Sequence, residues 1–378
     1  MSSRPTYDPN NYQNYTMEVL SRNLPIWASY EPGSTFKITT FAAALEENLI
    51  DMDNDHFYDS GSVHIGGARI GCWKAGGHGD QTYLQVLQNS CNPGFVKLGQ
   101  MLGKEKLFSY LDLFGFGSKT GIDLNGESKG IIFPMEKVGE LELVTTAFGQ
   151  GVSVTPIQQV TAVSSIVNGG NLYKPYVVKG ILEPETNTMI QENKPTLVRN
   201  TISEATSLKM RRALESVVAL GGGKAAYIDG YRVGGKTGTA QKVENGRYLV
   251  GNYIMSFMSV VPSNNPQAVL YIALDNPKNT ALLSSYTTTP IARRVLLDII
   301  DALKIEKQEG QIEKDYTWED KVYYEIPNVE GLEVKEAKKL LTNWKIEYAG
   351  SGNKVISQSP KAGERLAADD TIVLMLGN

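Results

Sequence analysis

Residues 304–321 read KIEKQEGQIEKDYTWEDK, a run dominated by charge with few apolar side chains, which suits a solvated connection better than a buried element. That break constrains the rest of the chain, because the long part before it and the short part after it must each bury a core of their own. The expected organisation is a large domain over residues 1–305, a charged connection over 306–324 and a small module over 325–378.

With 378 residues, 41% of them apolar, the chain can fill two or three domains. Its 37 basic and 41 acidic side chains leave a net charge of −4, whereas broad binding to nucleic acid or anionic lipid calls for a basic surplus. No stretch approaches the ~20 apolar residues of a membrane-spanning helix, and the amino terminus lacks a basic region followed by an apolar core. The chain as written is therefore expected to be soluble. Two cysteines, Cys72 and Cys91, cannot make a disulfide scaffold and leave the compartment open.

Apolar periodicity predicts helices over 36–45, 84–102, 155–167 and 207–220. Residues 248–261 and 268–273, rich in β-branched and aromatic side chains, read as strands, and 230–235 lead into the first of them. Past the charged break, Val334, Ala337, Leu341 and Trp344 share one helical face, Ile346 and Tyr348 alternate, and 371–376 form an apolar run. The fold class is α+β throughout.

Three short motifs carry chemistry. In Glu31-Pro32-Gly33-Ser34-Thr35-Phe36-Lys37 a hydroxyl stands at the first turn of an apolar helix, with an amine three residues on and on the same face. A desolvated Lys37 would take the proton of Ser34 as its oxygen attacks a carbonyl, and the helix N-terminus favours the negative charge that develops. Ser90-Cys91-Asn92 adds a second hydroxyl and an amide. Gly234-Gly235-Lys236-Thr237-Gly238-Thr239-Ala240 ends a strand-like run in small residues that let a ligand approach the backbone. Singly these patterns are weak: Ser351-Gly352-Asn353-Lys354, Ser21-Arg22-Asn23, Ser263-Asn264-Asn265 and Lys119-Thr120-Gly121 repeat them in turns, where capping serines and solvated lysines explain them.

In chain order the motifs read Ser-x-x-Lys, Ser-x-Asn, Lys-Thr-Gly, the set of penicillin-binding proteins and serine β-lactamases. With the flanks YEPGSTFK, SCNPGF, TAFGQGVSVTPIQ and VGGKTGTAQK, residues 1–300 resemble the transpeptidase domain of class B penicillin-binding proteins. That resemblance implies an antiparallel sheet flanked by helices plus an all-helical region. Pro327-Asn328-Val329 with Gly331, and Ser357-Gln358-Ser359-Pro360 with Gly363, resemble a single PASTA module, a small α+β domain.

The resemblance further implies acyl transfer from peptidoglycan stem peptides through a Ser34 ester, with covalent inhibition by β-lactams. Lys37 would be the general base, Ser90 a proton relay, and Asn92 the holder of Lys37 and the substrate amide. Lys236, Thr237, Gly238 and Thr239 would bind substrate, the first two at its terminal carboxylate, and the backbone N–H groups of Ser34 and Thr239 would form the oxyanion hole. No cofactor is needed for this chemistry.

Two rivals share the motifs, a β-lactam sensor that stays acylated and a β-lactamase. The latter needs a base for water; Glu140 and Glu142 are the candidates, read as structural because they lead into the family-like TAFGQGVSVTP. A single PASTA module favours a sporulation-type member, working on spore cortex, over a division-type one. Family members carry a cytoplasmic tail, a membrane anchor and a pedestal before this point, so Met1 is expected to begin a soluble fragment. The parent protein would act on the outer face of the cytoplasmic membrane, or of the forespore membrane if sporulation-specific, beside a membrane glycosyltransferase.

Beside the second motif, Cys72, His78 and Cys91 are ligand types that suit zinc, with Asp80 or water as the fourth. A structural zinc, a Cys72–Cys91 disulfide and two unlinked thiols all stand as readings. His56 and His64 lie in polar sequence and read as solvated.

Overall fold

The computed structural model describes residues 1–244, 246–278, 284–314, 323–367 and 371–377. The chain divides into two compact units between residues 315 and 316. In the first, short helices α1 (Met17–Ser21) and α2 (Leu24–Trp27) precede a 3-10 turn over Gly33–Phe36, which runs straight into α3 (Lys37–Glu46). Every residue of α3 from Lys37 to Leu45 is buried. A helix buried on all sides belongs at the centre of a core, and here Phe41 meets Phe95, their ring centroids 6.3 Å apart.

Four short strands come next, β1 (His56–Asp59), β2 (Ser62–Ile65), β3 (Ala68–Gly71) and β4 (Gly79–Thr82), pairing antiparallel as β1 with β4 and β2 with β3. The single helix expected over 84–102 is two, α4 (Tyr83–Gln88) and α5 (Asn92–Leu113). Between them Ser90 takes a left-handed φ of 54° and Cys91 is extended. Pro93, which has no N–H to give to a continuing helix, is tolerated because it lies in the first turn of a new one.

Helices α6 (Glu140–Ala147) and α7 (Pro156–Val167) lie further along the chain, the latter opened by a capping box in which Thr155 and Gln158 exchange hydrogen bonds. Strands β5 (Asn171–Lys174), β6 (Gly180–Leu182), β7 (Met189–Glu192) and β8 (Thr196–Asn200) form two antiparallel pairs, β5 with β8 and β6 with β7. Helix α8 (Glu204–Leu220), capped by Ser203, returns the chain to the core.

The main sheet is β9 (Gly234–Glu244), β10 (Arg247–Val261) and β11 (Ala268–Asp275), antiparallel in the order β11-β10-β9. Its two later strands fall where β-branched sequence predicts them. The Lys-Thr-Gly motif, read as the end of a strand-like run, lies near the start of β9 instead. Helix α9 (Ser284–Ala302) covers this sheet through Ala292, Leu296 and Ile300 against Phe257 and Val261.

Residues 306–314 of the expected charged connection fall with this larger unit. Gln311 Nε2 donates to the carbonyls of Ile228 and Tyr231, both at 2.9 Å, and the Ile312 N–H donates to Glu215 at 3.1 Å.

The second unit contains β12 (Tyr323–Glu325), α10 (Val334–Leu340), β13 (Lys345–Gly350), β14 (Lys354–Ser359), β15 (Arg365–Ala367) and β16 (Thr371–Gly377). Strand β16 is central, parallel to β13 and antiparallel to β14. Ala337, Leu341 and Trp344 bury the expected helical face against Ile326, Val329, Val355, Ile372 and Leu374. Among the described residues no helix is long and apolar enough to cross a membrane.

Candidate active site

Ser34 stands half-buried in the 3-10 turn, and the turn is pinned from three sides. The Gly33 N–H donates to Gly149 O at 3.0 Å. Thr35 Oγ1 donates to Gln159 Oε1 at 2.7 Å, and Gln159 Nε2 donates to Tyr271 Oη at 3.1 Å, itself 3.0 Å from Tyr30 Oη. From the third side comes β9. Gly238 must be glycine for that approach, since a Cβ there would sit 2.5 Å from Ser256 Oγ and 2.9 Å from the Thr35 methyl.

One turn on, Lys37 is fully buried. Its Nζ donates to Asn92 Oδ1 at 2.7 Å, to Ser90 O at 2.7 Å and to Ser90 Oγ at 3.2 Å. Burial lowers its pKa from the usual lysine range to about 7. Lys236, on β9, reaches the same hydroxyl from the other side, Nζ to Ser90 Oγ at 2.9 Å. Burial, together with the charge of Lys37, lowers its pKa as well. No carboxylate pairs with either amine among the described residues. Two buried amines on one hydroxyl discourage both from carrying a proton, which is the condition for one to act as a base.

The structure therefore gathers Lys37, Ser90, Asn92 and Lys236 in one hydrogen-bonded group, with Ser34 one turn from Lys37 and with Thr237, Gly238 and Thr239 next along β9. Ser90 holds its place in a left-handed conformation that costs a non-glycine residue roughly 1–3 kcal/mol. Among the described strands β9 is the edge of its sheet, the position at which an extended peptide can add as a further strand. A cavity of about 460 Å³ opens beside Asn92, lined by Arg69, Gly71, Phe133, Glu142 and Tyr248 among others. Glu142, one of the two glutamates weighed as a water-activating base, accepts the Gly139 N–H at 3.0 Å and so caps α6.

The metal candidates separate. Asp80 lies away from the cysteines: it is exposed and pairs with His56 Nδ1 at 2.8 Å. Its place is taken by Asp59, which no sequence pattern marks. The ligand atoms of Asp59, Cys72, His78 and Cys91 all lie within 4.8 Å of one another, and both thiols are free. Asp80 points away because β4 side chains alternate, and its neighbour Gln81 takes the buried face.

Burial would raise the Asp59 carboxyl, yet hydrogen bonds from Cys72, the Gly61 N–H, His78 and Cys91 together hold it at about 2. A hydrogen bond from Cys91 leads in lowering the Cys72 thiol well below the usual thiol range. Gln159 and Tyr271 are likewise absent from the sequence-based expectation; they carry no motif, and only the packing of α7 and β11 behind the turn marks them.

Comparison with known proteins agrees with this geometry. The penicillin binding protein transpeptidase domain matches residues 1–298 and the PASTA domain residues 324–378. Stage V sporulation protein D of Bacillus subtilis is 53% identical over 376 residues, covering 100% of this chain and 58% of that protein. A peptidoglycan D,D-transpeptidase FtsI homolog of Mesostigma viride is 32% identical, covering 80% of this chain and 54% of the relative. The chain thus spans little more than half the length of these relatives. Penicillin binding protein 3 from Mycobacterium tuberculosis, solved with ampicillin, superposes with a TM-score of 0.74 at 27% identity, over 82% of this chain and 71% of that one. The chain belongs to the penicillin-binding protein transpeptidase family, with a PASTA domain at its carboxyl end.

Proposed function

We propose that the chain is a serine D,D-transpeptidase, cross-linking peptidoglycan stem peptides that end in D-Ala-D-Ala by way of a Ser34 acyl-enzyme. The carrying observation is Lys37: an amine buried away from any carboxylate, held by Ser90 and Asn92, one turn along the helix that Ser34 opens. Neutral Lys37 takes the Ser34 proton as Oγ attacks the penultimate carbonyl. The Ser34 and Thr239 N–H groups hold the oxyanion, and helix α3 favours its charge.

Ser90, lying between two amines, passes a proton to the departing D-alanine. Asn92 orients Lys37 and the substrate amide, while Lys236 and Thr237 bind the terminal carboxylate along β9, with Gly238 letting the strand close on the Ser34 turn. The amine of a second stem peptide then attacks the ester, which releases Ser34 and completes the cross-link. A β-lactam enters as a mimic of D-Ala-D-Ala and leaves an ester that no amine reaches.

Similarity to stage V sporulation protein D supports a role in spore cortex synthesis over division. On that reading the longer protein carries a membrane anchor, works on the outer face of the forespore membrane and meets a membrane glycosyltransferase. The acyl transfer draws on no cofactor, and a zinc beside the site has a structural part only.

Intact-protein mass after mixing with a penicillin tests the proposal. The expected result is a long-lived adduct of the whole drug, absent from Ser34→Ala. Rapid loss of the adduct with drug consumption would make the chain a β-lactamase. A stable adduct without turnover of a stem-peptide or thioester substrate would make it a sensor.

A further inference from the structure

We infer that Asp59, Cys72, His78 and Cys91 form a zinc site, and that the bound metal holds Ser90 and Asn92 in their working positions. The four ligand atoms come from three places in the chain: Asp59 ends β1, Cys72 and His78 stand at the two ends of the β3–β4 connection, and Cys91 caps the start of α5. Cys72 Sγ lies 3.2 Å from His78 Nδ1, His78 Nδ1 lies 2.9 Å from Asp59 Oδ2, and Cys91 Sγ lies 3.3 Å from the same oxygen. Ligands placed about 2.0–2.3 Å from a tetrahedral zinc are separated from one another by roughly 3.3–3.8 Å, so these three pairs would open slightly to admit the ion. Two thiols, an imidazole and a carboxylate are a donor set that selects zinc over the hard cations.

The surroundings call for a cross-link. From Asp53 to Thr82 the buried residues are Asp59, Ile65 and Gln81, of which only Ile65 is apolar. Phe57, Val63 and Ile70 are only part-buried against the main core, so the segment draws on polar contacts for much of its shape. The His78 side chain is 3% exposed, and its Nε2 has no hydrogen-bond partner, so the ring's polar contacts run through Nδ1 into the cluster.

Chain order ties the cluster to the reaction. Cys91 lies between Ser90 and Asn92, and Asn92 Nδ2 donates to Gly71 O, the carbonyl just before Cys72, at 3.3 Å. Fixing the two cysteines on one ion therefore fixes both residues that hold Lys37. The role is one of positioning, since none of the four touches substrate in the proposed mechanism.

The test uses the whole chain, purified under reducing conditions, stripped with a chelator and re-equilibrated with zinc alone. Expected are about one zinc per chain in the unaltered protein and in Asp80→Asn, and at least tenfold weaker zinc binding in Asp59→Asn and Cys72→Ser. Cobalt in place of zinc is expected to give thiolate-to-metal charge-transfer absorption. Stripping is expected to slow penicillin acylation roughly tenfold, the scale of displaced supporting groups at such sites, with zinc restoring it. The idea is overturned by negligible zinc in the reduced, unaltered chain, by equal zinc in Asp59→Asn, or by active protein whose cysteines are joined as a disulfide, two hydrogens lighter by mass. Should Asp59→Asn fail to fold, the cobalt spectrum of the unaltered chain decides, and lack of the thiolate band rejects the site.

Discussion

Ser34 and Lys37 stand at the start of a helix buried on every side against Phe95 and Leu98, whereas Ser90 and Asn92 flank a core cysteine whose thiol faces Asp59 in two small ladders with one buried apolar residue, Ile65. The first pair is held by packing, which is dense and non-directional, so a large number of weak contacts locate the helix. The second adds to the packing of Cys91 a few directional polar contacts among Asp59, Cys72, His78 and Cys91. Catalysis needs both pairs in register at one hydroxyl. A perturbation of packing should therefore appear as lost stability, and a perturbation of the polar cluster as lost rate.

The largest expected effect separates chemistry from either support. Ser34→Ala should abolish the penicillin adduct, a loss of at least 10³-fold in acylation, while the melting temperature stays put. On the packed side, Phe41→Ala should destabilise the larger unit by about 3–5 kcal/mol, measured by denaturant unfolding. On the polar side, Asp59→Asn in metal-free, reduced protein should cost about 1–3 kcal/mol, because the Gly61 and His78 N–H groups and the Cys91 thiol lose a charged acceptor. A smaller cost than that of an exposed pair would show the cluster to be dispensable.

Acidity probes the point where the two sides meet. Lys37, lowered by burial to about 7, is protonated below that pH and has no lone pair for the Ser34 proton. Acylation should rise about tenfold per pH unit up to near 7 and level off above it. A rate flat through that range would remove Lys37 as the base. The smallest effect belongs to Asp80→Asn, whose exposed pair with His56 should contribute no more than ~0.5 kcal/mol.

Much of the site was legible in the sequence because it rests on local spacing. Ser34 and Lys37 are three apart at the start of an apolar helix, Ser90 and Asn92 are two apart, and Lys236–Thr239 are consecutive, so motif and backbone geometry coincide. Asp59 was missed in favour of Asp80 because nearness in chain order to His78 is a poor guide across an antiparallel pair, in which Asp59 lies opposite Gly79 and Tyr58 opposite Asp80. The charged run after residue 304 misled in part for a related reason: Gln311 and Ile312 find buried polar partners that composition does not reveal. Gln159 and Tyr271 had no signal at all, being ordinary residues of α7 and β11 until the two elements pack behind the Ser34 turn.

By itself the sequence determined the family and the α+β class, and it nominated the residues proposed as nucleophile, base and relay, since these depend on side-chain chemistry at short separations. Only the tertiary structure decided that Lys37 and Lys236 share Ser90 Oγ across 199 positions of chain, with no carboxylate beside them among the described residues, and that Asp59 joins the cluster behind it. The reason is physical: burial and charge neighbours, which set a lysine's pKa and gather a metal's ligands, depend on which groups pack together in space and not on their order along the chain.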